Sequence, residues 1–232
     1  PRTCQQIRLT LNQVCKAAEL ESLLPKGRTA EIFDKVELPK YKAKEKRPLT
    51  DAEIDALFKA DFSPKERVLV GILYFTGMRR EEALALRISD VSGAKIKVDK
   101  ALAFDGNESR IKSTKTDRGN REVPLPEELK NILKDYVKNK PKDAYLFPGT
   151  TTETITKMMY RRMWESIIRK MNAVSDEPVE GLTAHIFRHN FCTRLCYQAA
   201  INHTITTKRI AQLLGDTEAM VTNVYSHILA EH

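Results

Sequence analysis

Cysteine is scarce. The four present, Cys4, Cys15, Cys192 and Cys196, form neither a disulfide framework nor a CxxC pair in a chain of 232 residues, which excludes a disulfide-stapled scaffold and points to a reducing compartment. Long apolar runs are missing too. The stretch VLVGILYF at 68–75 falls well short of the about 18 residues needed to span a bilayer. No segment resembles a signal peptide, no internal repeat is visible and no tract is of low complexity, so a soluble, cytoplasmic protein without a membrane partner is expected. The first residue is Pro1 rather than Met, and the chain is expected to be a piece of a longer protein.

What is present is length and positive charge. At about 150 residues per domain the chain holds one large domain, or a small piece plus a full one, with material for a real core. Lys and Arg number 39 against 31 Asp and Glu, a net charge of +8, which favours a polyanionic partner.

The pattern along the chain divides it in three. Ile7, Leu11, Val14, Cys15 and Ala18 recur at helical spacing, so residues 3–23 read as an amphipathic helix that resumes in TAEIFDKV after a break at Gly27. Two helices cannot bury their faces alone, and residues 1–38 look like the end of a helical domain. Residues 39–48 follow as a basic linker, PKYKAKEKRP between prolines. In an extended chain alternate side chains point the same way, so Lys40, Lys42, Lys44 and Lys46 would form one cationic edge, as suited to a solvated tether as to a DNA-touching strap.

Residues 49–232 form the third part. TDAE at 50–53 fits a capping box opening a helix to about residue 60. Helical signals continue over 64–76, ending at Gly77, and over 80–88. Short strands are then expected at KIKVD, near SRIKST and at REVPL, with DRGN as a turn between the last two. Helices return over 127–139, 153–171, 183–200 and 206–214, with a short one holding Tyr225. The fold class is α+β: a mostly helical domain with a small three-stranded antiparallel sheet.

Four places put reactive or cationic residues at junctions that would expose them. Arg79 follows YFTGM between helices, Lys115 sits in STKTDRGN at a hairpin tip, His185 and Arg188 lie three apart in AHIFRH, and Tyr225 stands near the end. His185 and Arg188 at i and i+3 share a helix face and can address one anion; alone, such a pair reads as an ordinary surface His beside a solvated Arg.

Together, TGMRREEALALRISDV, STKTDRGNREVPL, LTAHIFRHNFCT and LLGDTEAMVTNVYSH resemble, in order and approximate spacing, the boxes of the tyrosine recombinase, or phage integrase, catalytic domain. The resemblance covers roughly residues 48–232. It implies an enzyme that cuts and rejoins double-stranded DNA through a 3′-phosphotyrosine, with neither metal nor other cofactor, as a homo-multimer on paired sites. Residues 1–38 would be the end of the family's core-binding domain. Carried over by position, Arg79 and Arg188 match the catalytic arginines, with Glu82 the usual neighbour of the first, Lys115 the hairpin lysine, His185 the histidine of the HxxR pair and Tyr225 the nucleophile.

The chemistry suits those assignments. Attack on a phosphodiester gathers negative charge on the nonbridging oxygens, which two fixed guanidinium forks stabilise better than lysines can. A phenol of ordinary pKa about 10 is almost wholly protonated at pH 7 and needs a base or positive potential beside it. The leaving 5′-oxygen needs a proton, a role for Lys115 with Lys112 as the competing choice.

Asp216 departs from the pattern. The family most often carries histidine there, sometimes tryptophan, donating to the scissile phosphate, whereas an ionised aspartate donates nothing and repels the anion. Asp216 could cap the helix beginning TEAM, or be protonated, or orient a neighbouring arginine. His185, His189, Cys192 and Cys196 resemble a metal-ligand list, but on one helix they extend over roughly 16 Å, too far for one tetrahedral ion; the cysteines read as core. Lys157 and Arg161 share a face that could hold DNA phosphates or be solvated. Two other readings stay open: a type IB topoisomerase, and a DNA-binding architectural protein that has lost catalysis.

Overall fold

The computed structural model describes residues 2–39, 47–113, 119–202 and 205–231. Lys40, Lys42, Lys44, Lys46 and Lys115 lie outside the described residues. The chain divides into two compact units, Pro1–Glu45 and Lys46–His232.

In the first unit α1 (Arg2–Leu20) and α2 (Arg28–Asp34) are joined by a turn in which Gly27 takes φ 84°, a left-handed setting that costs glycine nothing. The Arg8 guanidinium donates to Phe33 O at 2.7 Å and Val36 O at 3.0 Å, and the Glu19 carboxylate accepts the Thr29 N–H. Ile7, Leu9, Leu11 and Val14 remain exposed, so within this unit α1 keeps an uncovered apolar face, as expected of two helices without a layer to pack on.

The second unit opens with α3 (Asp51–Lys59) and α4 (Pro64–Thr76). Both start with a capping box, Thr50 with Glu53 and Ser63 with Glu66, which satisfies N–H groups that no carbonyl within the helix can reach. Helix α4 is apolar nearly all round, with Val68, Leu69, Ile72 and Leu73 fully buried, the mark of a helix at the centre of a core. Gly77 ends it at φ 61°, and α5 (Arg80–Leu84) follows after a sharp corner. The helix expected over 80–88 stops at Leu84, and a 3₁₀ turn (Ile88–Asp90) leads into the strands.

Three strands make the sheet, though not the three expected. Its order is β1 (Val91–Ser92), β2 (Lys95–Val98), β5 (Arg121–Pro124), antiparallel, with Ile96 opposite Val123. Residues 109–113 of SRIKST instead belong to a separate hairpin of β3 (Lys100–Asp105) and β4 (Glu108–Ser113), pairing Leu102 with Ile111. The hairpin closes through Gly106 and Asn107, with Gly106 at φ 59°, the two-residue loop that a leading glycine permits. DRGN therefore does not join two paired strands; its first two residues lie outside the described residues.

Helices α6 (Glu127–Val137), α7 (Lys157–Asn172), α8 (Ala184–Asn202), α9 (Thr207–Leu214) and α10 (Glu218–Glu231) complete the unit. Helix α7 begins four residues later than the sequence suggests, because Thr156 caps it by accepting the Met159 N–H at 3.3 Å. Two apolar cores result. The first runs from α3 through the sheet to the start of α8, ending with Ala184 and Phe187. The second gathers Cys192, Cys196 and Ala199 of α8, Ile210, Ala211 and Leu214 of α9, and Val221 of α10. No helix among the described residues is long and apolar enough to cross a membrane.

Candidate active site

The corner between α4 and α5 presents Arg79. Its backbone N–H donates to Glu82 Oε2 at 2.9 Å and its Nη1 to Glu82 Oε1 at 3.1 Å, so the helix that follows holds the side chain that precedes it. Glu82 is only 3% exposed, and a buried carboxylate requires partners. Arg121, opening β5, supplies them with Nη1 to Oε1 at 3.0 Å and Nη2 to Oε2 at 2.8 Å. Burial acts to raise the Glu82 pKa, but the Arg121 fork and the groups of Arg79 outweigh it and hold the carboxyl below its ordinary range. Arg121 is not among the residues that the sequence motifs single out, since its importance comes from its contact with the buried Glu82.

Arg188 approaches from α8, buried at 5% exposure. Its Nη1 donates to Gly77 O at 3.0 Å and its Nη2 to Asp216 Oδ2 at 2.9 Å. Arg79 reaches the same junction, with Nη2 to Gly215 O at 3.0 Å and 3.5 Å from Asp216 Oδ2. Burial and the neighbouring Arg79 cation press the Arg188 pKa down, while Asp216 and Glu82 act the other way.

The Gly-Asp pair is where it is because of how α9 ends. Gly215, at φ 64°, donates to Gln212 O at 3.2 Å while the Asp216 N–H reaches Ala211 O at 3.0 Å, a Schellman closure that turns the chain toward the arginines. Burial acts to raise the Asp216 pKa, but the Arg188 hydrogen bond, the Thr217 N–H and the two guanidinium charges hold it low, leaving a carboxylate at neutral pH. Of the accounts open for Asp216, the geometry favours the one in which it orients arginines. Capping of α10 falls to its neighbour, since Thr217 Oγ1 accepts the Met220 N–H at 3.3 Å, whereas the backbone N–H that Asp216 Oδ1 accepts is that of Thr217, at 3.0 Å.

A cleft of about 420 Å³ lies at this junction, lined among others by Arg79, Arg80, Tyr160, Trp164, His185 and Arg188. His185 and Arg188, one helical turn apart, take different depths, the histidine exposed and the arginine buried. With Glu81 its acidic member, the cleft is a predominantly cationic pocket suited to an anion, built from the α4–α5 corner, α5, α7 and α8. Tyr225 is not among its lining residues; it lies partly buried on α10, packed with Val224 against the second core. Lys157 lines a neighbouring cleft with Lys112 and Arg80, whereas Arg161 is exposed and paired to Glu165 at 2.8 Å. Cys192 and Cys196 are buried in the core, and the described residues contain no group of three or more His, Cys, Asp or Glu arranged to hold a metal ion.

Tyrosine recombinase XerD of Yersinia pestis is 26% identical over 205 residues, covering 83% of this chain and 61% of that protein. Tyrosine recombinase XerA of Saccharolobus solfataricus is 23% identical over 194 residues, covering 84% and 56%. The chain thus spans about six-tenths of the length of these curated relatives. Among solved structures, the Tn1549 transposon integrase in complex with a circular intermediate DNA superimposes with TM-score 0.75 at 23% identity, over 97% of this chain and 74% of that one. A lambda integrase dimer bound to a COC′ core site gives 0.60 at 19% identity, over 95% and 58%. These likenesses establish the fold, and the Phage integrase family matches residues 47–232, far more than half of the sequence. By that match, and with the arginines of two separate boxes meeting at one cleft, the chain belongs to the phage integrase family.

Proposed function

We propose that the chain carries the catalytic part of a site-specific DNA recombinase that cleaves and rejoins double-stranded DNA as a homo-multimer on paired sites. The observation that carries this reading is the meeting of Arg79, His185 and Arg188 in one cleft, an arrangement that suits a phosphodiester whose charge grows during attack. In the reaction the Tyr225 oxygen bonds to phosphorus, the P–O5′ bond breaks, and the DNA is left joined through its 3′-phosphate to the protein with a free 5′-hydroxyl. The phenol proton passes to His185 or solvent, and the departing oxygen takes a proton from Lys115. A 5′-hydroxyl from a second strand then reverses the step; the ester conserves the bond energy, so no nucleotide cofactor is required. The positive charge that the transition state needs comes from the arginines rather than from a metal ion. Residues 1–38 act in this reading as the end of a DNA-embracing helical domain, 39–48 as the basic connection, and 49–232 as the catalytic domain.

Tyr225 packs against the second core and is not among the residues that line the cleft. Its present place favours a second reading, a DNA-binding member without chemistry. Incubation with nicked duplexes, followed by a denaturing gel, separates the two. A covalent protein–DNA band that vanishes in Tyr225→Phe supports the recombinase; DNA binding with no such band supports the second reading. Relaxation of supercoiled plasmid without recombinant product supports a type IB topoisomerase instead.

A further inference from the structure

Arg80, which follows Arg79, has no role in the reaction as set out above, yet it is the most conspicuously placed cation in the region. It lines both clefts: the one holding Arg79, His185 and Arg188, and a second of about 460 Å³ that holds Lys112 and Lys157. Its guanidinium lies 5.1 Å from the centre of the Tyr160 ring. Tyr160 stacks on Trp164 with centroids 6.0 Å apart, and Trp164 is fixed in turn by Phe187 and by its indole N–H to Leu182 O at 3.2 Å. Lys157, Tyr160 and Trp164, spaced i, i+3 and i+7 on α7, therefore form one wall running from the second cleft into the first. The Tyr160 side chain also hydrogen-bonds the guanidinium, and the remaining N–H groups of a five-donor fork can still meet an anion.

That fork is incompletely used. Arg80 Nε is buried with no hydrogen-bond partner, a position that costs free energy until an acceptor arrives. Among the described residues the Tyr160 hydroxyl is one hydrogen-bond partner of the guanidinium, and the carboxylate paired with that guanidinium is that of Glu81, the immediate chain neighbour of Arg80. Both side chains are more than a third exposed, so the pair is weak and readily exchanged. A DNA strand crossing from one cleft to the next presents a phosphate for every 3.4 Å of rise, and the shared wall lies directly on that path.

We propose that Arg80 is a phosphate-binding residue, taking the backbone phosphate next to the one gripped by Arg79 and Arg188, and that Glu81 stands in for this phosphate when DNA is absent. The proposal rests on the DNA-cleaving reading and extends it by one phosphate, with Lys112 and Lys157 continuing the track into the second cleft. Arg80 is here a binding residue and has no part in the bond-making step.

The test is titration with a mixed-sequence 30-base-pair duplex, read by anisotropy of a DNA label and by the emission of Trp164, the sole tryptophan in the chain, across KCl concentrations from about 50 to about 200 mM. Arg80→Gln is expected to weaken binding by about tenfold, to reduce the slope of log affinity against log salt by about 0.9, and to remove the Trp164 emission change. Arg80→Lys should restore the slope but not the full affinity, because it keeps the charge and loses the planar fork. Glu81→Gln, which leaves Arg80 in place, should tighten binding several-fold by removing the competing carboxylate. Wild-type slope and emission change in Arg80→Gln, or unchanged affinity in Glu81→Gln, overturns the proposal and leaves the DNA reading intact. Failure of the wild-type chain itself to bind the duplex overturns both.

Discussion

Replacing Glu82 by glutamine tests whether the site is built on a buried ion pair. The Glu82 carboxylate accepts from the Arg79 backbone and side chain and from both terminal nitrogens of Arg121. Arg121 is 6% exposed and cannot turn to water, because its Nε is already committed to Leu213 O at 2.8 Å. Glutamine keeps one acceptor and turns an amide N–H₂ toward a guanidinium, leaving a buried cation without its anion. That loss costs about 3–5 kcal/mol, a large share of the about 5–15 kcal/mol that holds a domain folded. Arg79, 39% exposed, can resolvate and adds little. Equilibrium urea unfolding followed by Trp164 emission reads the second unit directly. With a slope of about 2 kcal/mol per molar, the midpoint should fall by about 2 M. The sign with pH is fixed as well. The folded Glu82 pKa is depressed, so its contribution is full above the unfolded value of about 4.3 and disappears as pH falls through the lower folded value. The Glu82→Gln variant should therefore lose less stability on acidification than the wild type. A double change, Glu82→Leu with Arg121→Met, should recover part of the loss, since an apolar pair replaces both charges. A fall below about 1 kcal/mol in Glu82→Gln, against the expected 3–5, refutes the reasoning.

Three other perturbations follow. Gly77→Ala places a methyl 2.5 Å from Phe191 Cδ1 at φ +61° and should cost about 2 kcal/mol or more in the same unfolding assay; a loss under about 0.5 kcal/mol rejects the clash. Glu66 is held at about 2 because, against its burial, Lys170 at 2.7 Å, Ser166 and Ser63 favour the carboxylate. Its stabilisation is complete above about pH 4.3 and fades as pH falls toward about 2, so Lys170→Met should shrink the drop in urea midpoint between about pH 5 and about pH 3, and an undiminished drop rejects the linkage. Asp216→His replaces an anion beside the arginines with a donor and should raise single-turnover cleavage of a nicked duplex by about tenfold; an unchanged rate shows that the position has no catalytic weight.

The helices were legible because their signals are local. Thr50 with Glu53 announced the start of α3, and Gly77 and Gly215 announced the ends of α4 and α9, each a decision taken within one turn. Strand pairing is not local. KALAFD has no clean alternation, so β3 was missed and its partner β4 was assigned to the wrong neighbour, although Asp105, Gly106 and Asn107 spell a hairpin turn. At the site, Arg79, His185 and Arg188 could be named from their boxes, and they do share a cleft. Arg121 could not be found in the same way, because its importance comes from Glu82, 39 positions away in the chain. Nor could the seat of Tyr225 on the second core, which depends on how three helices pack.

Arg188 stands on α8 between Phe187, the last contributor to the first core, and Cys192, the first contributor to the second. One helix thus serves as the shared beam of two separately filled interiors, with the guanidinium mounted at its fulcrum. Enlarging or shrinking a side chain in either interior, far from any phosphate, should tilt that mount, and loosening the smaller one would free the tyrosine-bearing helix without breaching the larger.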